Sequence, residues 1–389
     1  MTTPVLRLGF RPFFLSAGVF AVVAMMLWVF LWRDGRLGAW SPTAVDPIAW
    51  HAHEMVFGYA LAVVAGFLLT AVRNWTARPT PTGGALAALV ACWALARVCL
   101  LAGPGALPIA AFFDLAFNLG LLVGVARPIV AVGQKRQAGI VSKIALLGIA
   151  NALFYVGAAG WLAISPLMVA QAAVFLLVAL VLTLAGRVLP GFIERGVRVP
   201  VRIHDPLWPA RASLVLFFAF FVVEIFLDLP RIAAALAAAL AVVTAWRLIA
   251  WHTRALWREP LLWGLYAALL AIWAGFVLYA LADWLALPRT LALHAFAAGG
   301  IGLATLAMMA RVSLGHTGRD IRRPPAVVGP ALGVLAAGVI ARVALPLVWP
   351  DGYAQAVLAA QTLWALAFAL FVVAYAPILL APRVDGADG

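Results

Sequence analysis

Twelve apolar runs, each long enough to cross a hydrocarbon layer about 30 Å thick at about 1.5 Å of rise per residue, decide what this chain can fold into. They lie approximately at 13–32, 51–72, 85–102, 108–126, 144–164, 167–186, 212–229, 232–250, 261–282, 291–310, 326–348 and 354–381. A soluble domain is nearer one half apolar, whereas this chain is 66% apolar and 11% charged. Backbone groups in lipid must be paired within the chain, and runs of this length suit helices rather than barrel strands. The expectation is an all-α integral membrane protein of about twelve transmembrane helices in a single polytopic domain, 1–389. The links at 103–107 and 165–166 are short enough to make their helix pairs tight hairpins.

The net charge of +13 raises the question of nucleic acid, and its placement answers it. With the N-terminus inside, one side of the membrane receives Arg7, Arg11, Arg73, Arg78, Lys135, Arg136, the arginine-rich link 187–211, Arg254, Arg258, Arg319, Arg322, Arg323 and Arg383. The opposite loops hold Arg33, Arg36, Arg231 and Arg289. This is the positive-inside bias of a membrane protein with both termini cytoplasmic, whose partner is the lipid bilayer and not nucleic acid. The first run enters Trp32, Arg33 and Asp34 without a small-x-small cleavage site and reads as a retained span. Cys92 and Cys99, one heptad apart in one span, make neither a disulfide framework nor a CxxC metal site.

The most informative stretch is WHAHEMVFGYA, Trp50 to Ala60, where His51, His53 and Glu54 stand at the mouth of the second run. The bland reading is a cluster that caps a helix and bonds to water or headgroups. Imidazole also suits copper, iron or zinc, and paired helices offering histidines hold porphyrins in membranes. His294 lies one turn inside the outer end of the tenth run, at the depth expected of His51 and His53. Residues two apart on a regular helix differ by about 200° of rotation, so His51 and His53 cannot both face one porphyrin. The favoured assignment is His51 with His294 as axial ligands of haem and His53 as a ligand to a second metal, with Glu54 its partner. Exchanging His51 and His53 remains open. Arg289 is a candidate partner for haem propionates. Small-residue stripes run below both sites, through Gly58, Ala62 and Ala65 and through Ala298 and Gly302. They suit close helix packing or the approach of a flat group. His316, in SLGHTGR, is 22 residues beyond His294, or about 33 Å of regular helix. It belongs to the opposite face, in contact with headgroups or as a separate metal or proton-entry residue.

Arg97 and Asp114 flank the hairpin tip at Gly105 at nearly equal distances and are expected to form a buried ion pair, with a proton path the alternative. Glu224 lies near the outer end of the seventh run, and His204 and His252 sit on the cytoplasmic side. The outer loop from Arg33 to Ala49 is long enough to fold over the mouth of span two.

FRPFF (Phe10 to Phe14), WHAHEMVFGYA, GFLLTAVRNWT (Gly66 to Thr76), RVLPGF (Arg187 to Phe192), ALHAFAAGGIG and RVSLGHTGR together resemble the NnrS family. The resemblance implies a twelve-helix inner-membrane protein with haem, of b type, and copper, tied to the nitric oxide response and relief of nitrosative stress. Nitric oxide or a related nitrosyl species is the implied small partner, with an unidentified electron donor. A looser similarity, at the level of fold, is to the catalytic subunit of haem-copper oxidases, whose haem hangs between histidines of spans two and ten. Spans six and seven here carry no histidine, which departs from that pattern. The rival class is a proton-coupled secondary transporter using Glu54, Asp114, Glu224 and His294. A third is a scaffold whose histidines satisfy helix ends. Turnover and simple binding are not distinguished by these residues.

Overall fold

A computed structural model of the chain describes residues 3–33, 43–227 and 229–386. Among the described residues all regular structure is helical. Eleven helices are long and apolar enough to cross a membrane, and Gly83–Cys99 is a further, shorter apolar helix. In chain order they are α1 (Phe10–Arg33), α2 (Pro47–Thr76), α3 (Gly83–Cys99), α4 (Leu107–Ala131), α5 (Ala138–Ala158) and α6 (Pro166–Gly196). The remaining helices are α7 (Leu207–Leu227), α8 (Pro230–Trp251), α9 (Pro260–Leu281), α10 (Arg289–His316), α11 (Val328–Val343) and α12 (Tyr353–Leu380). Each coincides with one apolar run, and the chain is a multi-pass membrane protein. Residues 34–42 lie outside the described residues, and with them most of the outer loop expected to cover the mouth of α2.

Several boundaries differ from expectation, α6 running on through 187–192 to Gly196 the most, and two of them have local reasons. α2 begins at Pro47, because Asp46 caps it by accepting from the backbone N–H groups of Ile48 and Ala49. The helix therefore has its cap before the histidines are reached. α5 ends at Ala158, and Gly160 adopts φ 71°, so the link to α6 is longer than the pattern suggested.

The chain gathers into two compact units. The first comprises 1–173, 309–327 and 364–389. In it α1 packs on α2, and α4 packs on α2, α3 and α5. The approach of α1 and α2 explains two motifs. Phe10 N–H donates to Thr70 Oγ1 at 3.0 Å. A Cβ at Gly66 would meet the Phe14 ring at 2.8 Å, and one at Gly9 would meet Leu69 Cβ at 2.7 Å. FRPFF and GFLLT are thus one interlocked surface. Arg11 is wholly buried and donates to the carbonyls of Leu379 and Ala381, tying the end of α12 to the start of α1. A cationic donor there serves both the backbone and the helix dipole.

The second unit comprises 174–308 and 328–363. Here α8 packs on α7 and α9, and α9 and α11 pack on α10. Its core is a set of edge-to-face rings, Phe175, Phe217, Phe220, Phe276 and Phe296, with Tyr279 against Phe220.

Candidate functional site

Directly after His53 the backbone of α2 widens, and Glu54–Ala60 is π-helix. Leu61 N–H bonds the carbonyl of Val56, five residues back. Widening of this kind leaves a carbonyl to be satisfied from outside the ladder, and Trp93 Nε1–H donates to Gly58 O at 2.8 Å. Gly58 admits the approach, since a Cβ there would lie 2.7 Å from the Phe20 ring.

The consequence is a buried ion cluster. Arg97 Nη1–H donates to Glu54 Oε1 at 2.7 Å, and its Nη2 lies 2.5 Å from Asp114 Oδ2. The expected pair of Arg97 and Asp114 is present, and Glu54 joins it. His53 completes the group: its Nδ1 is 2.9 Å from Glu54 Oε1, and its Nε2 is 2.9 Å from Asn151 Oδ1 and 3.4 Å from Asp114 Oδ2. Tyr155 donates its hydroxyl proton to Asp114 Oδ2 at 3.0 Å, and Asn118 Nδ2 donates to the Asp114 carbonyl. Residue exposures of 0% for His53, 1% for Glu54, 4% for Arg97 and 0% for Asp114 place the cluster out of solvent. There each charge is sustained by an opposite one. Phe57 and Phe154 close the face of the His53 ring.

This geometry bears on the metal assignment. Both ring nitrogens of His53 are engaged by hydrogen-bonding partners, and Glu54 is compensated by Arg97. A metal at either ring nitrogen of His53 would break one of these hydrogen bonds, while Glu54 Oε2 is buried with no hydrogen-bond partner among the described residues. Among the described residues no group of three His, Cys, Asp or Glu is arranged to hold a metal. His51 lies outside the cluster, its ring stacked on Trp28 with centroids 4.4 Å apart and planes 9° from parallel.

His294, in the second unit, has the same local setting in its own helix: the residues directly after it, Ala295–Gly302, are again π-helix. Thr305 Oγ1 donates to the carbonyls of Ile301 and Gly302, supplying partners where the ladder is disturbed. His294 Nδ1 is 2.7 Å from the carbonyl of Thr290. That contact requires hydrogen on Nδ1, and a carbonyl bond of this kind is one by which a metal-binding imidazole is oriented. These residues fit an iron ligand. The small residues beside His294 are occupied with packing: a Cβ at Gly299 would meet Ala271 Cβ at 2.5 Å, and one at Gly300 would meet Ile272 Cγ1 at 2.5 Å.

Arg289 is already engaged. It lies 3.5 Å from Glu224 and 3.4 Å from Asp283, with Nη1 donating to Tyr279 Oη at 3.1 Å. Two carboxylates compensate the charge that a propionate would need. His316 lies in the first unit against the Phe10 ring, centroids 5.7 Å apart, and its carbonyl accepts from Arg383. His252 Nε2 accepts from Trp257 Nε1–H. Sequence reasoning missed Asn151 and Tyr155 as members of the cluster. A polar pair in an apolar helix was the available signal, its partners standing on α2 for Asn151 and on α4 for Tyr155.

Fold and site define a polytopic helical membrane protein with an ion cluster buried below a histidine-bearing helix start. The family model described as NnrS protein matches residues 4–383, and the chain belongs to that family. Membership suggests a role in the nitric oxide response. Among curated proteins none matched the chain.

Proposed function

We propose that the protein is a haem-containing inner-membrane protein that binds or turns over nitric oxide or a related species and protects against nitrosative stress. The observation that carries this reading is family membership across residues 4–383. The hydrogen bond from His294 Nδ1 to Thr290 O supports it, because such a bond orients metal-binding imidazoles. Haem, when bound, supplies an iron able to take a diatomic ligand. His294 is the proposed iron ligand, and in α2 His51 rather than His53 is the proposed metal-binding histidine because His53 is committed to the ion cluster. Copper belongs to the family resemblance, and His53 with Glu54 is not its proposed ligand pair. The cytoplasmic placement of both termini rests on the positive-inside bias.

The test is the absorption spectrum of full-length protein produced with ample haem. A Soret band is expected, and it should be lost or shifted in His294→Ala. Protein that folds and has no Soret band ends the proposal.

A second reading, a proton-coupled secondary transporter, is favoured by the buried carboxylates Glu54 and Asp114. Glu224 and His294 complete its candidate set. Uptake into vesicles by iron-free and copper-free protein would select this reading over the first.

A further inference from the structure

At the C-terminal end of α2, remote along that helix from His51 and His53, the chain forms a cavity of about 560 Å³ lined by Arg73, Asn74, Ala77, Arg78, Pro79 and Thr82. The helix stops because Ala77 takes a left-handed conformation, φ 51° and ψ 26°. This is an uncommon choice for a residue with a Cβ. The turn is secured on both sides. Thr76 Oγ1 donates to the Val72 carbonyl and accepts from Arg78 N–H, and Gln134 Nε2 donates to the Trp75 carbonyl. Pro79 and Pro81 stiffen the link to α3. The wall is therefore held in shape before anything binds.

Its chemistry is one-sided. Arg73 and Arg78 supply two guanidinium groups, Asn74 an amide and Thr82 a hydroxyl, and the lining contains no carboxylate. Among the described residues neither arginine forms an ion pair. A guanidinium fork matches the oxygens of a phosphate, and two forks at one concavity accept a group of high negative charge. The concavity is open, with Asn74, Ala77, Arg78, Pro79 and Thr82 exposed, and is larger than a single inorganic ion requires. The cavity lies where α2 ends and the chain leaves the apolar run, the place along a spanning helix where lipid headgroups are met.

We propose that this cavity binds a phosphate-bearing group, gripped by Arg73 and Arg78 and presented by an anionic phospholipid headgroup or by a soluble phosphoester. The site is independent of the haem reading.

The experiment uses the full chain in detergent. The thermal midpoint is followed while phosphatidylglycerol, phosphatidylcholine or glycerol 3-phosphate is titrated into wild type and into the double variant Arg73→Gln, Arg78→Gln. The expected result is a rise in midpoint with phosphatidylglycerol or glycerol 3-phosphate. In the double variant the apparent affinity should fall by about tenfold or more, as loss of charge-assisted hydrogen bonds requires. Response to the lipid alone identifies a headgroup, and response to glycerol 3-phosphate identifies a soluble ligand. No response in wild type, an equal response to phosphatidylcholine, or an equal response in the variant overturns the proposal. If the double variant does not fold, the exposed single variant Arg78→Gln is read in the same way.

Discussion

Arg97 is the residue on which the interior of the first unit turns, because its guanidinium meets Glu54 and Asp114 together. Arg97→Met would leave two carboxylates buried without their counter-charge. Breaking a buried ionic group in this way costs about 3–5 kcal/mol, and a drop in thermal midpoint in detergent is the readout. Adding Glu54→Gln and Asp114→Asn to that variant should recover much of the loss, since the uncompensated charges disappear with the arginine. A triple variant no more stable than Arg97→Met would show that the cluster does not act as a unit. Gly58→Ala tests the close approach beside it. A methyl group 2.7 Å from the Phe20 ring must displace that ring, at a cost of about 1–3 kcal/mol measured by the same melt. The pairing of Arg97 with Asp114 was legible because both stand at similar distances from a hairpin tip. The addition of Glu54 and His53 was not, since nothing local to α2 states which helix its polar face meets.

At the scale of the element, the π segments of α2 and α10 matter more than the helices' length. Each begins one residue after a histidine, His53 or His294, and each has its disturbed carbonyls met by a side chain, Trp93 Nε1–H or Thr305 Oγ1–H. A regular helix would carry the residues beyond the histidine at about 100° per residue, whereas one extra residue in the turn rotates every later position. Deleting Val56 should restore α-helical winding and swing His53 and Glu54 away from Arg97 relative to Leu61–Thr76. Faster hydrogen exchange in α2 and a lower thermal midpoint are expected. Unchanged exchange and stability would mean that the widened turn has no positioning role. Apolar periodicity cannot reveal such a turn, because both windings bury the same apolar residues in an all-apolar helix.

For the whole molecule, the charge bias makes a prediction about topology that the helices alone do not. Alkaline phosphatase fused at residue 105, in the link between α3 and α4, should be active. The same enzyme fused after residue 389 should be inactive, while a fluorescent protein placed there should fluoresce. The reverse pattern would invert the assignment of both termini.

The sequence by itself determined that the chain crosses the bilayer repeatedly, because runs of apolar residues have one low-energy environment and the lipid sets their length. It also placed each of the twelve helices, though some ends lie up to ten residues away, as where α6 runs on to Gly196 instead of stopping near 186. Tertiary structure decided which polar side chains meet. Asp46 rather than a histidine caps α2, His53 is bound into an ion cluster with Asn151 and Asp114, and Arg289 is taken by Glu224 and Asp283. Those pairings depend on helix rotation and on which helices are neighbours. Both are set by packing between residues far apart in the chain, and a helix that is apolar on all sides carries no pattern to report them.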